Sequence, residues 1–562
     1  MTWCWSIALV MLLGGVFFIF PLLLAARIPL LDPDEGLHAS IAQEMVEQGR
    51  WITPHFLGKP FLDKPVLYFW TEAIALRLFG MSEISVRLPG LLFGLLGALS
   101  TALLGARMFS RRTGLIAGLF YATTILPTAL AQSAVHDVAL VPWINLALLG
   151  FWQSLQSTGR REVLRCTLSV GVFLGLSILT KGLVGVALAG VTLGGYLLAT
   201  RQVSRNVCLR GAVALGLAGL LAGAWYVVVE IENPGYLWYY LFQRHVLGFV
   251  TATQNHGHQP WWYYAPMLLG GGLPWIAYLP VTLRDEWTRW RAARWASLQD
   301  GAPTVLLVCW LVGCTLFLSA AHSKLVTYLW PVFPAVALLA AVAWTRFLDG
   351  ALGREALVQL RRTFQLSCLA GPIVLPAAVA VAQRRMGLHF SPRVWAMLLA
   401  VSATAWIPGI FWALRQYRAV LGAAMLSMAA QFVIVMIWIM PVVATALSAR
   451  DLARHFNQAG RLPAPLLLAD ERIGSLVFYL DPQLRANLQQ GPLESIALGS
   501  LGIWSRAEPT AVVVLSERKA RRIQRHLDLL SVACQHVGRH RLYQAGDLTT
   551  ELRIAAAEGT LR

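Results

Sequence analysis

Residues 5–26 read WSIALVMLLGGVFFIFPLLLAA, and RIPLLDPDEGLH follows at residues 27–38. The first stretch is uncharged and has the length of about 20 residues that a helix needs to cross a bilayer core. No Lys or Arg precedes it, so it lacks the basic flank of a cleaved signal peptide and is expected to be retained as a helix. The second stretch turns abruptly acidic at Asp32, Asp34 and Glu35. A membrane helix that delivers carboxylates to one surface is the theme of the whole chain. Its 562 residues are 57% hydrophobic and only 13% charged, with a mean hydropathy of +0.60. Too little polar surface exists to cover a globular fold, so lipid must be the main solvent. This excludes a cytosolic enzyme, a disordered tail protein and a disulfide scaffold. The 22 Trp residues suit the two membrane interfaces. The net charge of +18 comes from arginines scattered between apolar runs, so nucleic acid is not an expected partner.

Twelve more apolar runs are expected to span, near 87–106, 113–131, 138–156, 166–180, 183–200, 211–230, 263–282, 303–320, 325–345, 365–382, 394–414 and 420–447. Arginine clusters orient them: Arg107 with Arg111 and Arg112, Arg160 with Arg161 and Arg165, Arg201 with Arg205 and Arg210, then the groups around Arg289, Arg361 and Arg415. All fall in alternate loops, which the positive-inside rule puts in the cytoplasm. Arg27 alone argues the other way. The expected topology has a cytoplasmic N-terminus and an extracytoplasmic C-terminus, with residues 27–86 and 231–262 as the long outer loops. In the first of these, Leu37, Ile41 and Met45 recur every four residues opposite Glu44 and Glu47, which predicts an amphipathic helix in the interface plane. Residues 65–79 predict a second one.

After residue 448 charge rises and short β-like runs appear at Leu466–Ala469, Ser475–Leu480 and Ala511–Leu515, alternating with polar helical segments such as Glu517–Leu530. The fold class is therefore an all-α polytopic membrane region of about 13 spans (residues 1–447) joined to a small soluble α/β domain (448–562). The seven cysteines include no CxxC pair, so zinc and redox motifs have no support.

The chemistry-bearing residues gather on the expected outer side. Asp34 begins a helix, either as its cap or as a solvent-facing carboxylate in use. Asp137, beside His136, stands at the outer end of another span. Only five of the 46 basic residues are lysines, and four of them, Lys59, Lys64, Lys181 and Lys324, fall on that side. The alternatives are chance within an arginine-biased composition and compact ammonium groups placed for an anionic headgroup. His256 and His258 form a His-x-His pair, which is either part of a polar loop above the Trp261–Tyr264 aromatic belt or two ligands of a metal.

The run Asp32-Pro33-Asp34-Glu35, followed by Ile41-Ala42-Gln43-Glu44-Met45, resembles the first-loop signature of membrane glycosyltransferases with the GT-C fold. The likeness is to bacterial members related to aminoarabinose transferase and protein O-mannosyltransferase. Similar too are Trp51-Ile52-Thr53-Pro54-His55 with Asp63-Lys64-Pro65, Leu179-Thr180-Lys181-Gly182, the His256–Tyr264 segment, and Ser323-Lys324-Leu325 with Tyr328, Pro331 and Pro334. The resemblance covers most of residues 1–345. It implies transfer of a sugar from a polyprenyl phosphate carrier, such as undecaprenyl phosphate, to an outer-leaflet acceptor. By that likeness Asp34 and Asp137 are the catalytic aspartates. Lys64, Lys181, Lys324 and Tyr328 bind the donor phosphate, while Glu35, His38 and His136 line the acceptor side. Asp63 stands where relatives have a glutamate associated with a structural divalent metal, for which His256 and His258 are the further candidate ligands; no other cofactor is implied. The chain departs from the aminoarabinose branch at Gly36-Leu37-His38, where that branch carries Thr-Arg-Tyr.

The expected function is thus an inner-membrane glycosyltransferase with a lipid acceptor such as lipid A favoured over a protein. A lipid-sugar transporter is the rival from another class. The topology has a direct test. A single cysteine in the 231–262 loop or after residue 460 should react with an impermeant thiol reagent in intact spheroplasts, and one beside Arg289 should not. Labelling beside Arg289 alone would invert the assignment.

Overall fold

The structure is a computed structural model that describes residues 24, 26–247, 259–292, 303–463, 465–469, 474–490, 493–496, 501–517, 519–520 and 532–548. The first expected span lies almost wholly outside these residues. Among the described residues nine helices are long and apolar enough to cross a membrane: Glu83–Met108, Asp137–Gln156, Arg160–Lys181, Arg205–Glu232, Pro303–Ala320, Val326–Leu348, Arg354–Met386, Pro392–Ala413 and Tyr417–Leu447. The chain is a multi-pass membrane protein. Several spans open on a serine whose hydroxyl accepts a backbone N–H of the first turn, as Ser82 does from Ser85 and Ser204 from Val207.

Three expected spans take a different form. Residues 183–200 form a shorter apolar helix, Val184–Ala199. The run near 113–131 is broken into Arg111–Ala122 and Ile125–Leu130, and the run near 263–282 into Tyr264–Gly271 and a second helix, Trp275–Ala292, bent from it by 98°. Pro274 has no N–H for a continuous helix, which accounts for the second break. The two breaks serve each other. The Ile125 N–H donates to the Leu273 carbonyl (3.2 Å), the Trp275 indole donates to Thr123 Oγ1 (2.8 Å), and Trp275 stacks on Phe120. Polar groups freed inside lipid must find protein partners. Each break supplies them to the other.

The first-loop helix, Asp34–Gln48, is not the one-sided interfacial helix its pattern suggests. Residues 38 to 45 are all buried, Glu44 included, whose carboxylate accepts the Gly58 N–H at 2.9 Å. The membrane helices cover one side and the C-terminal α/β region the other. Next to it a two-stranded hairpin (β1, His55–Phe56; β2, Lys59–Pro60) leads into the Leu67–Phe79 helix.

In the C-terminal region five strands are ordered β4-β3-β5-β7-β6 (β3, Leu466–Ala469; β4, Leu493–Ile496; β5, Val512–Ser516; β6, Cys534–Val537; β7, His540–Gln544). β3 runs parallel to β4 and β5, while β7 is antiparallel to β5 and β6. The apolar run Ser475–Leu480, expected as a strand, is instead a buried helix, Gly474–Tyr479. Such short runs carry no period that separates strand from helix. The expected helix Glu517–Leu530 falls mostly outside the described residues.

A buried ion pair joins these parts. Arg87, 3% exposed in the first turns of Glu83–Met108, donates from Nε and Nη2 to the two oxygens of Glu35, both at 2.8 Å. It also donates to the Ile28 and Pro29 carbonyls (2.7 and 3.1 Å). Glu35 in turn accepts the Leu31 and Ala134 N–H groups at 2.8 and 3.2 Å. The structure therefore gives Glu35, expected on the acceptor side, to a tie between the first loop, a span and the 131–136 turn. Arg87→Ala leaves that carboxylate buried without its partner, which costs about 3–5 kcal/mol. Thermal unfolding in detergent should show the loss as a lowered midpoint, and an unchanged midpoint would mean that the pair does not hold the fold.

Candidate active site

Two of the tied segments carry the expected aspartates. Asp34 sits in the first turn of its helix, exposed and without a hydrogen-bond partner among the described residues. Pro33 occupies the capping position, so Asp34 is not the helix cap. Asp137 opens the Asp137–Gln156 span and forms a buried ion pair with Lys181, at the end of Arg160–Lys181. The Lys181 ammonium also lies over the Tyr328 ring, 4.0 Å from its centroid. Lys64, half-buried in the loop after the hairpin, has no partner among the described residues.

These groups act on one another through space. His38 feels the charges of Asp34, Lys64 and Asp137, and His136 those of Lys64 and Lys181. The two imidazoles meet edge to face with centroids 4.4 Å apart. His38 Nδ1 lies 2.9 Å from the Ala134 carbonyl. A carbonyl only accepts, so Nδ1 carries the proton and Nε2 the lone pair. Burial lowers the pKa of both rings below the ordinary histidine range, His136 the further, against which Asp34 pulls His38 up. Both rings are neutral at pH 7.

Asp34, His38, Lys64, His136, Asp137, Lys181 and Tyr328 are thus brought together from five separate segments of the chain. Other expected members have partners of their own or lie outside the described residues. Lys324 is buried and donates to the Ala321 and Gln259 carbonyls. Asp63 accepts the Tyr239 hydroxyl (2.5 Å) and pairs with Arg244 at 3.1 Å. His256 and His258 lie outside the described residues, and among the described residues no three His, Cys, Asp or Glu side chains converge as a ligand set.

Other residues at the site had no sequence signal. The Trp238–Leu247 π-helix brings in Arg244 and His245, from a segment that reads only as an aromatic loop. His245 packs so closely on Gly182 that a Cβ there would meet its Nε2 at 2.5 Å, and Gly182 also holds a left-handed φ of 71°. Glycine in Thr180-Lys181-Gly182 is required by both space and backbone. Behind the cluster Glu72 is fully buried, and among the described residues its carboxyl oxygens, the Tyr68 hydroxyl and both His136 nitrogens have no hydrogen-bond partner. Burial pushes the Glu72 carboxyl well above its usual range, followed by the charge of Glu35. It is held as the neutral acid.

The chain is similar to several known proteins. Residues 63–226 match the family model described as dolichyl-phosphate-mannose-protein mannosyltransferase. The undecaprenyl phosphate-alpha-4-amino-4-deoxy-L-arabinose arabinosyl transferase of Aeromonas salmonicida is 32% identical over 362 residues, 64% of each chain. Its counterpart in Erwinia tasmaniensis is 32% identical over 58% of this chain and 57% of its own. The alignments thus span less than two-thirds of the length of these relatives. In fold the likeness extends much further. The crystal structure of ArnT from Cupriavidus metallidurans bound to undecaprenyl phosphate superposes with a TM-score of 0.71 at 22% identity, covering 97% of this chain and 98% of that one. The Archaeoglobus fulgidus oligosaccharyltransferase in its apo form gives 0.56 at 12% identity, over 94% and 70%. The chain has the GT-C fold, and over more than half its length its sequence is similar to glycosyltransferases named for a lipid-phosphate-linked sugar.

Proposed function

We propose that this protein is a glycosyltransferase that moves a sugar from a polyprenyl phosphate, of the undecaprenyl type, to an acceptor at the outer face of the bacterial inner membrane. The observation that carries this is the meeting of a carboxylate, Asp34, and an ammonium, Lys64, each without a hydrogen-bond or ion-pair partner among the described residues, with the Asp137–Lys181 pair at one end of the spans. In this reading the N-terminus is cytoplasmic and the C-terminal region periplasmic. The acceptor in this reading is a lipid such as lipid A, and the donor carrier is the undecaprenyl phosphate for which the relatives are named.

The chemistry follows from the charges. An acceptor oxygen attacks the anomeric carbon as the bond from that carbon to the phosphate oxygen breaks. Positive charge grows on the sugar and negative charge on the departing polyprenyl phosphate. Lys64, with Lys181 and Tyr328 beside it, stabilises the phosphate, and Asp34 accepts the proton of the attacking hydroxyl. Asp137 holds Lys181 in place. Asp63, with His256 and His258, would be the residues to hold a divalent ion, which would supply a fixed positive charge; among the described residues Asp63 is instead held by Tyr239 and Arg244. The transporter reading fares worse. Every charged residue of the nine described spans lies near a helix end, where a transport path needs ionisable groups at mid-depth.

Transfer from a synthetic carrier in detergent tests the assignment. Asp34→Asn should abolish turnover and leave folding intact; near-normal turnover would remove Asp34 from the chemistry. Lys64→Ala loses a charged hydrogen bond of about 1.5–3 kcal/mol, so kcat/KM should fall roughly 10- to 150-fold. Lys519→Ala, in the C-terminal region, is the control and should behave like the unmodified protein. The neutral imidazoles give a pH test. Their folded pKa values lie below the unfolded value of about 6.5, so in acid the unfolded chain binds more protons. Stability should be fully present above about pH 6.5 and fall as pH drops toward the folded values. His136→Phe should flatten that loss in thermal unfolding, and an unchanged slope would mean that His136 titrates freely.

A further inference from the structure

We propose that the Gly474–Tyr479 helix of the C-terminal region sets the position of Asp34, so that this region is a working part of the transfer site rather than an appended domain. The proposal rests on the role given to Asp34 above. Two residues before Asp34, the Asp32 carboxylate accepts the Ser475 N–H at 2.8 Å and, on its other oxygen, the Ser475 hydroxyl. Ser475 Oγ also accepts the Ala449 N–H at 2.9 Å, and the Asp32 N–H donates to the Leu447 carbonyl at 2.8 Å. Ser475 is fully buried. On the next turn Ser40 Oγ donates to the Gly474 carbonyl at 2.8 Å.

The two backbones touch at Gly36 and Gly474. A Cβ on Gly36 would stand 2.2 Å from the Ser475 nitrogen, and one on Gly474 2.3 Å from the Leu37 nitrogen. No side chain fits on either side of this contact. At the other end of the short helix the Tyr479 hydroxyl donates to Glu83 and accepts the Leu30 N–H, both at 2.9 Å. Residues 30 to 40 are therefore gripped along their length from the C-terminal region, while the Glu35–Arg87 pair grips them from the membrane side. Asp34 itself has no partner among the described residues, so its location is whatever these two grips impose. The sheet explains why the grip forms here. β3 lies between β4 and β5, where the chain order reverses, and the region beyond the carboxyl end of a strand at such a point is where open α/β sheets bind ligands. In this protein that segment holds a carboxylate of its own chain.

The experiment compares the full-length Ser475→Ala and Gly474→Ala proteins with Arg485→Ala, which breaks a second contact of the same interface, the Arg485–Glu47 pair at 2.7 Å. Misplacement of a reacting group by about 1 Å costs up to roughly 100-fold, so the two helix variants should lose about 10- to 100-fold in kcat. KM for the carrier should not change, because Lys64 is untouched. Arg485→Ala should keep kcat. Hydrogen exchange of the amides at residues 30–38 should accelerate in the helix variants and not in Arg485→Ala. That measurement needs no substrate, so it decides the placement even if the wild-type protein proves inactive on polyprenyl-phosphate sugars, an outcome that would sink the functional reading alone. Should a helix variant not fold, Asp32→Asn keeps the shape of the contact and removes its charge. Wild-type kcat and exchange in these variants would overturn the proposal. So would an equal loss in Arg485→Ala, which would mark the interface as general adhesion.

Discussion

The Glu35–Arg87 ion pair is the constraint on which the rest of the site depends. Taking two charges out of water is expensive, and a buried pair is tolerated only where further hydrogen bonds satisfy what remains. Here they do. The guanidinium satisfies two carbonyls of the first loop, and the carboxylate satisfies one amide of that loop and one of the 131–136 turn. One pair thus joins the segment before Asp34 to the segment before Asp137. Neither aspartate could hold its place on an untethered loop, because loops at a membrane surface have few other contacts that resist motion.

The same economy runs through the cluster. Lys181 is buried, yet its charge is matched by Asp137 and faced by the Tyr328 ring. His38 has its tautomer set by a carbonyl. Asp34 and Lys64, one anion and one cation, are the charged members without a hydrogen-bond or ion-pair partner among the described residues. Behind them the buried Glu72 carboxyl and the His136 ring have no hydrogen-bond partner among the described residues. Buried groups left in that state call for an explanation, and the packing of protein atoms around them supplies none.

Much of the fold was legible because lipid imposes a simple rule. A segment must be apolar for about 20 residues to cross, and the expected runs from 87 to 447 recur as helices in the same order. Where the rule misled, a tertiary partner had replaced the missing local bond. The runs near 113–131 and 263–282 look continuous, yet both break because Thr123, Ile125, Leu273 and Trp275 satisfy one another across the bundle. The Asp34–Gln48 helix carries the pattern of a one-sided helix, yet it is buried on two sides because the C-terminal region closes over it. In the site, Asp34, Asp137, Lys64 and Lys181 could be singled out as charges at the ends of apolar runs. Arg244 and Glu72 could not, since an arginine in an aromatic loop and a glutamate in a short helix read as ordinary surface.

The sequence by itself determined a multi-pass membrane protein with a C-terminal α/β region, and it marked the charged residues that stand at the ends of its apolar runs. Period, length and charge are local properties, and a single chain displays them. Only the tertiary structure decided which charges would be neutralised by burial partners and which would stay available. Glu35 and Asp34 are adjacent in the chain and alike in chemistry. One is locked to Arg87 and the other is open, and the difference comes from what packs against each of them, which no neighbouring residue in the sequence specifies.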